Sequence, residues 1–203
     1  MNKPLCRSVT TSETQNPGES DTPVGLLLPD EQPIFLVGMM GAGKTTIGRS
    51  LARLLDREFL DLDHELEARC GVRVSLIFDI EGEEGFRRRE TALLDECSRR
   101  PGIILATGGG AVLNAENRRY LRERGVVVYL HATGDELYRR VARDRTRPLL
   151  QTADPRARLQ TLLVEREPLY QEVAAITVET GIMPISQVAQ ALLSLLKKHQ
   201  SHS

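Results

Sequence analysis

Lys44 and Thr45 close the stretch Gly38-Met39-Met40-Gly41-Ala42-Gly43-Lys44-Thr45, which directly follows the apolar run Ile34-Phe35-Leu36-Val37. The chemistry this Gly-x-x-x-x-Gly-Lys-Thr pattern suits is the holding of a nucleoside triphosphate. Its glycines let backbone amides turn inward and approach phosphate oxygens closely. A helix that follows adds the positive end of its dipole to the same anion site. Lys44 then reaches the terminal phosphates, and the Thr45 hydroxyl ligates the magnesium ion they carry. Gly41, Ala42, Gly43 and Thr46 complete the expected nucleotide cradle.

Triphosphate binding is common to kinases, GTPases and motors, so a kinase reading needs an acceptor site. Asp61 and Asp63 leave an apolar stretch two residues apart. One carboxylate can support magnesium through its waters; the other can hold an acceptor hydroxyl and take its proton. Helix capping by Asp63 competes with that reading. Arg87, Arg88 and Arg89 are consecutive, and because helical neighbours are ~100° apart, at most one or two can face a site. A guanidinium fork there suits a small carboxylate. Gly108-Gly109-Gly110 exceeds what a tight turn needs and leaves bare backbone for a ligand.

These groups need elements to position them. Thr45 to Leu55 carries Ile47, Leu51, Leu54 and Leu55 at helical spacing. Short strands are predicted at Ile34–Val37, Phe59-Leu60, Ile103–Ala106, Val126–Leu130 and Ala175–Val178, with helices between them. Ser75 is a plausible N-cap, and Gly82 and Gly85 are expected to separate a short turn from a helix over about 86–99. The stretch from Arg139 to Arg158 is rich in arginine, and Pro148, Asp154 and Pro155 interrupt it. It reads as a mobile cover over an anionic ligand, a lid of about 144–158. A helix from about Leu159 to Val173 follows, and an amphipathic helix carrying Ile185, Val188, Ala189, Leu192, Leu193 and Leu196 closes the chain. The expected fold is α/β: a three-layer sandwich around a five-stranded parallel sheet. Ligands of such sheets sit beyond the carboxyl ends of the strands, where all these motifs fall.

Composition sets the class. The 203 residues suit one domain, with 40% hydrophobic and 27% charged residues. A formal net charge of −1 gives no reason to expect nucleic acid or an anionic membrane as partner. No apolar run approaches the ~18 residues of a membrane helix. Cys6, Cys70 and Cys97 are odd in number without metal-ligand spacing, as expected of reduced thiols in a cytoplasmic protein. Residues 1–31 are polar and Pro-containing, expected as a disordered leader ahead of a domain at 32–200.

Together the residues resemble the shikimate kinases. The resemblance rests on six motifs in order: Gly38–Thr45, Asp61-Leu62-Asp63, Gly85-Phe86-Arg87-Arg88, Gly108-Gly109-Gly110, Arg147-Pro148-Leu149-Leu150 and Arg166-Glu167-Pro168-Leu169-Tyr170. It covers about Ile34 to Val178 and leaves the leader outside. It implies a P-loop kinase of small molecules, with shikimate and ATP as substrates, magnesium as cofactor and 3-phosphoshikimate as product; a monomer is the default, because the sheet and helix faces account for the apolar residues. By that resemblance Lys44 holds the β- and γ-phosphates, and Thr45 ligates magnesium with Asp61 behind a water. Asp63 binds the acceptor and is the candidate base. Arg87 and Arg166 clamp the carboxylate, Gly108, Gly109 and Gly110 line the ring, and Arg147 swings from the lid onto the transferring phosphoryl. Arg140 or Arg143 lies near adenine. Thr45 stands where the family frequently has Ser, and both offer a hydroxyl. A kinase of the same fold acting on gluconate is the alternative reading. A ligand sensor is disfavoured, because every catalytic position is intact.

Overall fold

The computed structural model describes residues 31–142, 148–181 and 183–201. The leader, apart from Glu31, and Arg143 and Arg147 therefore lie outside the described residues.

Four residues that read as one apolar run form strand β1 (Ile34–Val37), and all four are buried. A strand hydrophobic on both faces must be covered on both faces. β2 (Phe59–Asp61), β3 (Ile104–Ala106), β4 (Val126–His131) and β5 (Ile176–Glu179) join it in the order β2-β3-β1-β4-β5 among the described residues, every pair parallel. In that order β1 sits between β3 and β4, so the chain reverses its direction of travel across the sheet at β1. The crevice for a ligand opens at such a switch point.

Helix α1 (Lys44–Leu55) packs against the sheet and against the closing helix α7 (Ile185–Gln200), while α4 (Ala115–Arg124) packs against both α3 (Val74–Cys97) and α6 (Pro155–Val173). The stripe expected on α7 is buried at Val188, Ala189, Leu192 and Leu196, whereas Ile185 is exposed. The expected three-layer architecture is the one observed.

Helix boundaries differ in three places. α2 (Leu62–Cys70) starts three residues before the short Glu65–Arg69 helix that the sequence suggests, because Asp61 caps it: its carboxylate accepts from the amides of Asp63 at 3.1 Å and His64 at 3.4 Å. The capping residue is thus Asp61 rather than Asp63. α3 starts at Val74 after Arg73, so Ser75 lies inside it, while Gly82 (φ 70°, ψ −180°) is a non-helical break that parts it into two helical halves, as expected there. Gly85 does not interrupt it. α6 starts at Pro155 rather than near Leu159, because Asp154 accepts from the Ala157 amide at 3.0 Å and proline fits the first helical position. The end of the expected lid is therefore the first turn of a helix. α5 (Gly134–Val141) opens on a reciprocal cap between Thr133 and Glu136.

Candidate active site

The loop between β1 and α1 is shaped by left-handed glycines. Gly41 has φ +83° and Gly43 φ +94°, conformations in which a side chain is strained. A Cβ on Gly41 would also stand 2.8 Å from Val141 Cγ1. Lys44 Nζ arches back over the loop to donate to the carbonyls of Gly38 at 2.7 Å and Met39 at 3.0 Å. The Thr45 hydroxyl donates to Asp61 Oδ2 at 2.5 Å. A hydroxyl and a carboxylate side by side at a phosphate loop are hard oxygen donors, the set magnesium prefers. Among the described residues no three His, Cys, Asp or Glu side chains form a metal cluster. The donor set thus fits an ion that arrives with its phosphates and waters rather than one caged by protein.

Two cavities flank this loop. The first, about 540 Å³, is lined by Gly41, Ala42, Gly43, Lys44, Thr45 and Thr46, with Asp61 and Arg140 on its walls. Arg140 donates to Gly41 O at 3.1 Å and to Thr180 O at 2.6 Å, tying the phosphate loop to the turn after β5. The structure therefore brings Arg140 to the nucleotide side.

The second cavity, about 320 Å³, is lined by Arg87, Gly108, Gly109, Gly110 and Arg166, with Phe78, Phe86 and Leu149 as apolar wall. The Phe78 and Phe86 rings lie 4.6 Å apart. Of the three consecutive arginines, only Arg87 turns inward; Arg88 pairs with Glu84 at 2.7 Å and Arg89 with Glu81 at 2.7 Å on the outside. Arg166 is 2% exposed, and its Nε and Nη1 have no hydrogen-bond partner among the described residues. Burying guanidinium nitrogens unsatisfied costs several kcal/mol unless an anion joins them. The floor of this cavity is accordingly built for a carboxylate or similar oxyanion.

Sequence reasoning missed Glu90. It is 1% exposed, accepts from Arg87 Nη1 at 2.7 Å, and its Oε1 is unpaired among the described residues. Burial, opposed by the Arg87 charge and aided by Asp63, pushes its pKa up to about 6. One signal could have found it: Glu90 falls in phase with Phe86, Leu93, Leu94 and Cys97, the buried stripe of α3. The triple glycine also serves more than a ligand. A Cβ on Gly108 would collide with Glu90 Oε1, and one on Gly110 with the Arg87 guanidinium.

Met40, Asp63, His64 and Gly109 line both cavities. Asp63 thus stands at the wall between them, and a Cβ on Gly108 would lie 3.1 Å from its Oδ1. A carboxylate there reaches an acceptor on one side and the phosphate loop on the other.

Comparison with known proteins gives a consistent result. The family model described as shikimate kinase matches residues 40–197. A shikimate kinase of Bordetella avium is 67% identical over 173 residues, covering 85% of this chain and 83% of the relative. The solved shikimate kinase of Acinetobacter baumannii in complex with shikimate superposes with a TM-score of 0.82 at 49% identity, over 84% of this chain and 95% of that one. A gluconokinase from Sinorhizobium meliloti, at 20% identity, TM-score 0.55, and coverage of 85% and 97%, shares the fold alone.

Proposed function

The chain belongs to the shikimate kinase family, and from that premise we propose that it phosphorylates the 3-hydroxyl of shikimate with ATP, its residues dividing the work as follows. The observation that carries the assignment is the buried, unsatisfied guanidinium of Arg166 beside Arg87, across a shared wall from the phosphate loop. Arg87 is held by Glu90 at 2.7 Å and Glu83 at 3.0 Å, whereas Arg166 keeps two buried nitrogens to offer the carboxylate of shikimate.

The ring acid lies in the smaller cavity, its carboxylate held by Arg87 and Arg166. Glu90 orients Arg87 through the 2.7 Å bond, and Gly108, Gly109 and Gly110 line the ring. ATP lies in the larger cavity with its β- and γ-phosphates on Lys44 and the loop amides, and Arg140 at the adenine side. Thr45, with Asp61 behind it, is the side of the site that would hold magnesium, which supplies charge neutralisation to the phosphates. Asp63 accepts the proton of the 3-hydroxyl as its oxygen bonds to the γ-phosphorus and the bond to the β-phosphate bridging oxygen breaks, releasing ADP. Phosphoryl transfer asks little covalent chemistry of the protein, so position and charge carry the rate. Arg147, on a lid that ends before α6, joins the transferring group when the lid excludes water. No helix among the described residues is long and apolar enough to cross a membrane.

The test is ADP release from magnesium-ATP with shikimate, quinate, gluconate and nucleoside monophosphates offered separately. Turnover with shikimate at least a hundredfold above the others is expected. Comparable turnover with gluconate would overturn the carboxylate-and-ring assignment of the smaller cavity.

A further inference from the structure

Tyr170 lies one helical turn after Arg166 on α6 and is wholly buried. Its ring stacks on Tyr129 of β4, with centroids 5.1 Å apart and planes 23° from parallel. Its hydroxyl donates to the carbonyl of Gly109, and Met39 Sδ of the phosphate loop sits 3.5 Å from the same oxygen. The phenol has one proton, and a carbonyl is the stronger acceptor. Burial pushes the phenol's pKa well up, against the opposing pull of the Arg166 guanidinium that also contacts it, so the hydroxyl stays a donor.

Gly109 is where the two loops touch. A Cβ built there would lie 3.4 Å from Met40 N and 3.6 Å from Gly38 O. On either side the glycine loop has backbone ties of its own: the Thr107 amide donates to Leu36 O at 3.1 Å and the Ala111 amide to Gly108 O at 3.1 Å. The carbonyl between them is taken by Tyr170.

We infer that Tyr170 is a positioning residue of this kinase: through its hydroxyl it fixes the Gly108–Gly110 loop against the phosphate loop and so sets the register between acceptor and γ-phosphate. The phosphate loop has independent anchors in Lys44 and Arg140, so loss of the hydroxyl frees the acceptor loop chiefly. The inference rests on shikimate binding in the smaller cavity.

The experiment compares Tyr170→Phe with Tyr129→Phe in the full chain. Tyr129→Phe removes a hydroxyl from the same ring stack without touching either loop. For Tyr170→Phe the KM for shikimate is expected to rise roughly tenfold, the scale of one buried hydrogen bond. The KM for ATP should stay within twofold, and Tyr129→Phe should leave both unchanged. An unchanged shikimate KM, equal losses for both substrates, or the same effect from Tyr129→Phe would overturn the inference. So would a Tyr170→Phe protein that does not fold, because the hydroxyl would then hold the core rather than one loop. Arg166→Lys separates the underlying assumption. If that variant binds shikimate normally, the cavity assignment fails; if it loses shikimate while Tyr170→Phe does not, only the role of Tyr170 fails.

Discussion

Asp63 and Glu90 are two carboxylates at one acceptor site with different surroundings, and each leads to a test. Asp63→Asn keeps the shape and removes the base. Turnover is expected to fall by about 10²–10⁴, with ADP affinity by calorimetry within twofold; undiminished turnover would remove Asp63 from the reaction. Glu90 is raised from 4.5 to about 6 by burial. Since the folded state holds that proton more tightly, stability attributable to Glu90 falls as pH rises from about 4.5 through 6, by about 2 kcal/mol. Glu90→Gln should flatten that slope in denaturant unfolding across this window. Binding runs the other way: the ionised carboxylate orients Arg87, so the shikimate KM of the wild type should increase as pH drops through about 6, and that trend should disappear in Glu90→Gln. At this scale the sequence was legible where spacing alone selects a residue, as for Lys44 and Thr45. It was not where burial decides. A glutamate three residues after an arginine reads as a solvated pair until the fold closes over it.

The kink in α3 aims Arg87. Gly82 at φ 70° and ψ −180° occupies a backbone region essentially reserved for glycine. A Cβ there would meet nothing within 4 Å, so any cost of Gly82→Ala comes from the backbone. That variant should lose about 1–3 kcal/mol and raise the shikimate KM more than the ATP KM as the second half of α3 swings. A neutral effect on Tm and KM would mean the kink is incidental. The strands were legible to within a residue or two, since continuous apolar runs leave few alternatives. The helix starts at Leu62, Val74 and Pro155 were less so. Two of them are set by side-chain caps from Asp61 and Asp154, whose competing turn readings only the folded backbone resolves.

Across the molecule, one sheet edge carries both cavities, and the segment proposed to cover them includes Arg147. Binding and catalysis should therefore separate in Arg147→Ala. ADP and shikimate should still raise its Tm, as ligands that bind the folded state must, while kcat falls by ~10³ or more. A variant with normal kcat would leave the lid arginine without a catalytic part. The parallel architecture and the converging motifs were readable because each motif directly follows a strand. The strand order β2-β3-β1-β4-β5 was not, because pairing between distant segments leaves no local trace in composition.

The common wall of Met40, Asp63, His64 and Gly109 has a use in inhibitor design. These four residues border both cavities, so a ring acid and a nucleotide phosphate chain can be joined by a short tether passing Asp63. Once either half is seated, its tethered partner sees the neighbouring cavity at an effective concentration on the order of millimolar. Such a chimera should outbind either fragment by about 10²–10⁴.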